Sequence, residues 1–151
     1  MNQTYYLVDN NALLLLGRRR RLTTFFHQHC RITDDVAHEA RFVRNATLPP
    51  TVIMSPWALE LLKEVMRTVR PGDTDLIDLY KNKGMADPGM IAAALALAES
   101  DAELLFPDTW ILVTSDRALN RLAKRMNVAT TSPEALATVI DDREPLREPG
   151  A

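Results

Sequence analysis

Two short apolar runs, Tyr5 to Val8 and Trp110 to Thr114, each stop at an aspartate, Asp9 and Asp116, and helical spacing begins close behind both. Runs of this length, rich in aromatic and β-branched side chains, suit strands buried on both faces. Thr51 to Met54 and Val128 to Thr131 repeat the pattern, and a brief strand is expected near Arg31 to Thr33. Between the strands, helices are expected over Ala12 to Leu16, Leu22 to about His29, Asp35 to Arg44, Pro56 to Val69, Asp87 to about Glu99, Arg117 to Met126 and Pro133 to Ile140. Asp34 and Asp35 are acceptable caps for the third of these, and Asp87 followed by Pro88 combines cap chemistry with a first-turn proline. Strands alternating with helices imply an α/β fold of three layers, a Rossmann-like central parallel sheet flanked by helices on both faces. The segment 73–84 carries no assignable pattern.

The 151 residues suffice for one core, and no repeat or glycine- and serine-rich linker divides them. The expected organisation is one domain over 1–140 and a flexible tail over 141–151, which holds two prolines and mixed charge. The N-terminal apolar stretch is broken by Asp9, Asn10 and Asn11 before it is long enough for a signal or a membrane span. Cys30 is the single cysteine, which fits a reducing compartment, and a cytoplasmic protein with no membrane partner is expected. A formal net charge of −2 argues against coating nucleic acid by bulk electrostatics. Nucleic acid would be held locally, at the run Arg18, Arg19, Arg20 and Arg21 or at Arg117, Arg121, Lys124 and Arg125, and either cluster is otherwise a solvated face.

In an open parallel sheet, ligands bind beyond the carboxyl ends of the strands, where the strand order reverses. Asp9 and Asp116 each stand at such an end. Glu39 shares a helical face with Val36, Ala40 and Val43, so a carboxylate points inward and needs a cation, a metal or a cleft to face. Asp87 opens the alanine-rich helix. Four acids in one crevice would repel one another, and a divalent cation relieves that repulsion. Magnesium suits oxygen donors, whereas Cys30, His27, His29 and His38 do not make a zinc set. Each acid also has a local explanation: Asp87 and Asp116 as caps, Asp9 as a turn residue with Asn10, Glu39 as a partner of Arg41 or Arg44.

The run Leu7, Val8, Asp9, Asn10, Asn11, Ala12, Leu13 resembles the opening strand and turn of the PIN domain family. Later blocks match that family in order: Glu39 within HEARFV, Asp87 within ADPGMIAAALAL, and Thr114, Ser115 and Asp116 within ILVTSDRAL. The resemblance spans about residues 5 to 140. It implies a PIN-like sheet, magnesium or manganese (Mg2+ or Mn2+) at the four acids, and endonucleolytic cleavage of RNA. For small bacterial members, the VapC-type toxins, it further implies a homodimer neutralised by a cognate antitoxin. Asn10 stands where threonine or serine commonly follows the first aspartate. Ala118 stands where some relatives carry another acid, which a second tightly held metal would use.

These residues predict metal-assisted phosphodiester hydrolysis, with Asp9 and Asp116 on the metal, Glu39 and Asp87 acting through water or steering the nucleophile, and Thr114 or Ser115 bonded to a carboxylate. The leading alternative is a catalytically silent domain of the same fold that binds RNA or protein. A phosphoacceptor receiver domain also has acids at strand ends, but it needs a lysine closing a late strand, and Val128 to Thr131 supplies none.

Overall fold

The computed structural model of the chain describes residues 2–40, 47–68 and 86–145, the first two of the last stretch by their backbone alone. Its strands are β1 (Thr4–Val8), β2 (Cys30–Thr33), β3 (Thr51–Val52), β4 (Thr109–Val113) and β5 (Thr130–Thr131). The helices are α1 (Asn10–Arg21), α2 (Thr24–His29), α3 (Asp34–Glu39), α4 (Pro56–Arg67), α5 (Ala86–Asp101), α6 (Arg117–Arg125) and α7 (Pro133–Arg143).

All described strand pairs are parallel, in the order β3-β2-β1-β4-β5. From β1 the chain moves one way to β2 and β3, then crosses back to β4 on the other side of β1 and continues to β5. Right-handed crossovers therefore send the helices of the two halves to opposite faces. In agreement, α1, α2 and α7 pack together on one side, while α5 packs with α4 and α6 on the other. The result is the expected three-layer, Rossmann-like α/β fold. Receiver domains use the order 2-1-3-4-5 instead, so the topology separates this chain from them.

The core explains the hydropathy pattern. Leu7 and Val8 from β1, and Leu112 and Val113 from β4, are fully buried between the layers. Met90, Ile91, Ala92, Ala93 and Ala94 run buried along α5 without an alternating polar face, as befits a helix enclosed by sheet and α4. Burial pushes the Cys30 thiol up to about 12, so this cysteine is a small apolar core residue rather than a nucleophile. Among the described residues no helix is long and apolar enough to cross a membrane.

Several boundaries differ from the sequence expectation for identifiable reasons. Helix α3 is capped by Thr33, whose hydroxyl accepts from the Val36 N–H at 3.3 Å, so Asp34 and Asp35 lie in its first turn rather than capping it. It stops at Glu39, and Arg41, Val43 and Arg44 fall outside the described residues. Pro71, Gly72 and the segment 73–84 also lie outside them. Strand β5 loses its first half because Val128 belongs to the end of α6. Asn127 turns left-handed there (φ 58°), Asn127 N–H donates to the Lys124 carbonyl at 3.2 Å, and Val128 N–H donates to the Ala123 carbonyl at 2.9 Å. That pattern is the Schellman termination with asparagine in the usual glycine place.

Helix α1 extends through the arginine run across a break at Gly17, whose backbone (φ 79°, ψ 161°) is open to glycine alone. The run is correspondingly divided. Arg21 is buried and donates to the Leu13 carbonyl at 2.6 Å, and burial, with Arg18 nearby, lowers its pKa. Arg20 forms a two-bond pair with Asp141, at 2.9 and 3.0 Å. Only Arg18 and Arg19 are exposed members of the run.

Asp141 therefore does not begin a flexible tail. Helix α7 continues to Arg143, and the Glu144 carboxylate accepts from the Thr24 and Phe25 amides at 3.2 and 2.8 Å, closing the start of α2 from a distant part of the chain. Residues 146–151 lie outside the described set.

Two stability outcomes follow. Gly17→Ala should destabilise by ~1–3 kcal/mol, because the strained backbone outweighs the ~0.4–1 kcal/mol gained from a stiffer unfolded chain. Nothing lies within 4 Å of the added carbon, so a steric clash would not confound the measurement. In urea unfolding, a chain ending at Ile140 should lose at least the α2 cap, worth ~1 kcal/mol, relative to one ending at Pro145. Equal midpoints would show that the tail contributes nothing.

Candidate functional site

The reversal of strand order falls between β1 and β4, whose connections leave toward opposite faces and open a crevice at their carboxyl ends. These strands pair in register along their whole lengths, Thr4 with Thr109 through Val8 with Val113. Asp9 extends the ladder one step, its N–H donating to the Val113 carbonyl at 3.2 Å. Its side chain, 5% exposed, caps α1 by accepting from the Ala12 N–H at 2.7 Å.

Asp116 leaves the end of β4 in the same way. It caps α6, accepting from the Leu119 N–H at 2.9 Å. Thr114, nearly inaccessible at 1%, fixes the approach: its N–H donates to the Thr131 carbonyl, and its hydroxyl oxygen accepts from the Asp116 N–H at 3.1 Å. The expected hydroxyl-to-carboxylate bond is thus replaced by one to the Asp116 backbone, which positions the loop. Ser115 is exposed and Asn10, the first residue of α1, is half-buried.

Glu39 ends α3 half-buried, one residue before the buried Ala40. Helix α3 packs on both α1 and α5. Asp87 lies in the first turn of α5, which begins one residue earlier than expected at Ala86, and its side chain is outside the described set. Among the described residues, no three His, Cys, Asp or Glu side chains are grouped to hold one ion. The fold thus joins the strand ends bearing Asp9 and Asp116, while α3 packs on β2, β3, α1 and α5, and α5 packs on β4.

The sequence marks Asp35 only as an acceptable cap. Its carboxylate reaches α5, with Oδ2 3.6 Å from where a side-chain carbon on Gly89 would stand. The glycine therefore admits an acid to the turn that also carries Asp87. The signal in the sequence was Thr33: a threonine cap places both following aspartates in the first turn.

On α6, Arg117 and Arg121 are exposed one turn apart, beginning next to Asp116, as is Lys124 further along. Arg125 instead donates to the Thr68 carbonyl at 3.0 Å. His29 is held through Nδ1, 3.1 Å from the Thr4 carbonyl, and its ring stacks on Phe25, in keeping with a satisfied polar residue.

No protein-family model matches the sequence, and no curated protein matches it. The fold is similar to that in the crystal structure of PAE2754 from Pyrobaculum aerophilum, with a TM-score of 0.51 and 19% sequence identity. The match covers 93% of this chain and 98% of that one. Two chains of nearly equal extent thus share one architecture, and at that identity the likeness concerns architecture alone.

The capping geometry separates charge from fold. Asparagine caps as well as aspartate, while alanine leaves an amide unsatisfied at ~0.5–2 kcal/mol. Asp116→Asn should keep the wild-type melting temperature within a degree or two, and Asp116→Ala should melt several degrees lower. Equal losses in both would mean that charge, rather than capping, holds α6.

Proposed function

We propose that the chain is a metal-dependent endoribonuclease of the PIN type, with its site at the β1–β4 crevice. The observation that carries this reading is the convergence of Asp9 and Asp116 on adjacent, in-register parallel strands at the strand-order reversal. A cap takes only one of the roughly four acceptor positions of a carboxylate, so capping is compatible with ligation. The donors are hard oxygens, the chemistry that magnesium or manganese prefers.

In this reading Asp9 and Asp116 hold the cation, and Glu39 and Asp87, carried by α3 and α5, bind through water or steer the nucleophile. When bound, the cation lowers the pKa of water and offsets charge developing on the phosphate. Thr114 keeps Asp116 in place through its backbone. Arg117 and Arg121 face solvent beside Asp116 and offer the phosphates of a single strand two cations, while Arg18 and Arg19 could serve only a longer substrate. Arg20, tied to Asp141, is better assigned to the fold. Toxin activity, a homodimer and a cognate antitoxin belong to the same proposal and rest on the sequence resemblance, and a cytoplasmic setting rests on the single cysteine, Cys30.

A catalytically silent domain that binds RNA or protein is the competing reading. It is favoured by the fact that capping alone accounts for an aspartate at both positions. Magnesium distinguishes them. An intact acid cluster should be stabilised by the ion, by ~2.7 kcal/mol at a concentration 100 times its dissociation constant. With single-stranded RNA, magnesium-dependent cutting should be blocked by chelation and should fall on the order of 100-fold or more in Asp9→Asn and in Asp116→Asn, both folded. Cutting retained in these variants, or an unchanged melting temperature with magnesium, would overturn the nuclease assignment.

A further inference from the structure

At the amino end of the sheet, opposite Asp9 and Asp116, a cleft of about 500 Å³ opens between the start of β1, α2 and the end of α7. That volume lies within the range of small-molecule sites. Its aromatic wall is Tyr6 and Phe25, with ring centroids 6.4 Å apart, and His29, whose ring stacks on Phe25 at 4.6 Å. The hydrogen-bonding edges are defined as well. The Thr4 carbonyl beside His29 Nδ1 can only accept, so Nδ1 donates to it and Nε2 is the ring nitrogen left for a ligand. Gln28 adds an amide with both donors and an acceptor. Burial raises the Tyr6 pKa, keeping its hydroxyl a donor, and Arg143 stands near enough to act against that shift.

The charges lining the cleft are unequal in availability. Both carboxylate oxygens of Glu144 are engaged by the amides that begin α2. Arg143, at the end of α7, is exposed, and its guanidinium suits a phosphate or carboxylate. An aromatic wall, polar groups of both senses and, among the described residues lining the cleft, the available cation Arg143 describe a particular ligand chemistry: a flat ring with donors and acceptors on its edge, carrying an anion.

We propose that this cleft binds a nucleoside monophosphate, with the base against Phe25 and Tyr6, its edge at Gln28 and His29 Nε2, and the phosphate on Arg143. The site is separate from the acid crevice and requires no divalent cation. The test is calorimetric titration of the full chain, in chelator, with AMP, GMP, CMP and UMP, and with adenosine and inorganic phosphate as part-ligands. Saturable binding of at least one nucleotide at one per chain is expected, with phosphate alone far weaker. Arg143→Gln, at an exposed position, should weaken that nucleotide about tenfold or more while leaving adenosine unchanged. Asp9→Asn should leave binding intact, whatever its effect on RNA cutting. The proposal is overturned if none of the four nucleotides saturates, if Arg143→Gln binds as tightly as the parent, if phosphate alone binds equally well, or if Asp9→Asn abolishes binding.

Discussion

The pairing of β1 with β4 is the contact on which the rest of the molecule depends. Parallel neighbours lie ~4.8 Å apart, so a register of five matched residues carries the chain past the same edge twice, more than 100 positions apart in sequence. A slip of one residue would put Leu7 and Leu112, now on one face, on opposite faces, and each would lose its fit to the helix layer it packs against. The hydrophobic pattern therefore sets the register, and the register sets where Asp9 and Asp116 stand. Their proximity follows from burial of Leu7, Val8, Leu112 and Val113.

Both aspartates then serve the fold a second time by starting a helix. A strand that ends in an acid and turns directly into a helix places the carboxylate at the positive end of the helix dipole, where negative charge is stabilised. Capping alone is reason enough for an acid there, which is why its presence in a sequence is weak evidence of catalysis. What the structure adds is coincidence: two caps emerge side by side at the reversal of strand order, and Thr114 holds the second of them by its backbone.

Elements whose cause is local were legible in the sequence. Tyr5 to Val8, Trp110 to Thr114 and the alanine-rich helix announce themselves by run length and composition, and alternation of strand with helix gives the layered fold. Features made by distant contacts were not. Nothing near Arg21 says that it will be buried against Leu13 and Thr47, and nothing in the run from Asp141 to Glu144 says that it will pair with Arg20 and close α2. The proline-punctuated composition of the last eleven residues suggested a loose end, but composition is blind to partners 120 residues away. For the site, the strand-end acids could be placed from pattern alone, whereas the approach of Asp35 to α5 required the packing of two helices.

A net charge of −2 conceals how this architecture sorts charge. Helices that follow parallel strands all start at the carboxyl end of the sheet and finish at the amino end. Their first turns and caps hold Asp9, Asp34, Asp35, Asp116 and Glu134, and their last turns hold Arg18 to Arg21, Lys124, Arg125 and Arg143. Each choice is favourable by dipole alone, and the sorting is partial: α5 ends in Glu99 and Asp101, α7 carries Asp141 and Asp142 beside Arg143, and α6 begins with Arg117. In the proposed nuclease, phosphates at the carboxyl end would meet both the acids and the exposed Arg117 and Arg121, whereas an anion in the proposed amino-end cleft would meet Arg143. On the two proposed readings, a metal-dependent site at one end and a metal-independent one at the other both trace to strand direction, with the same rule of helix polarity acting on both.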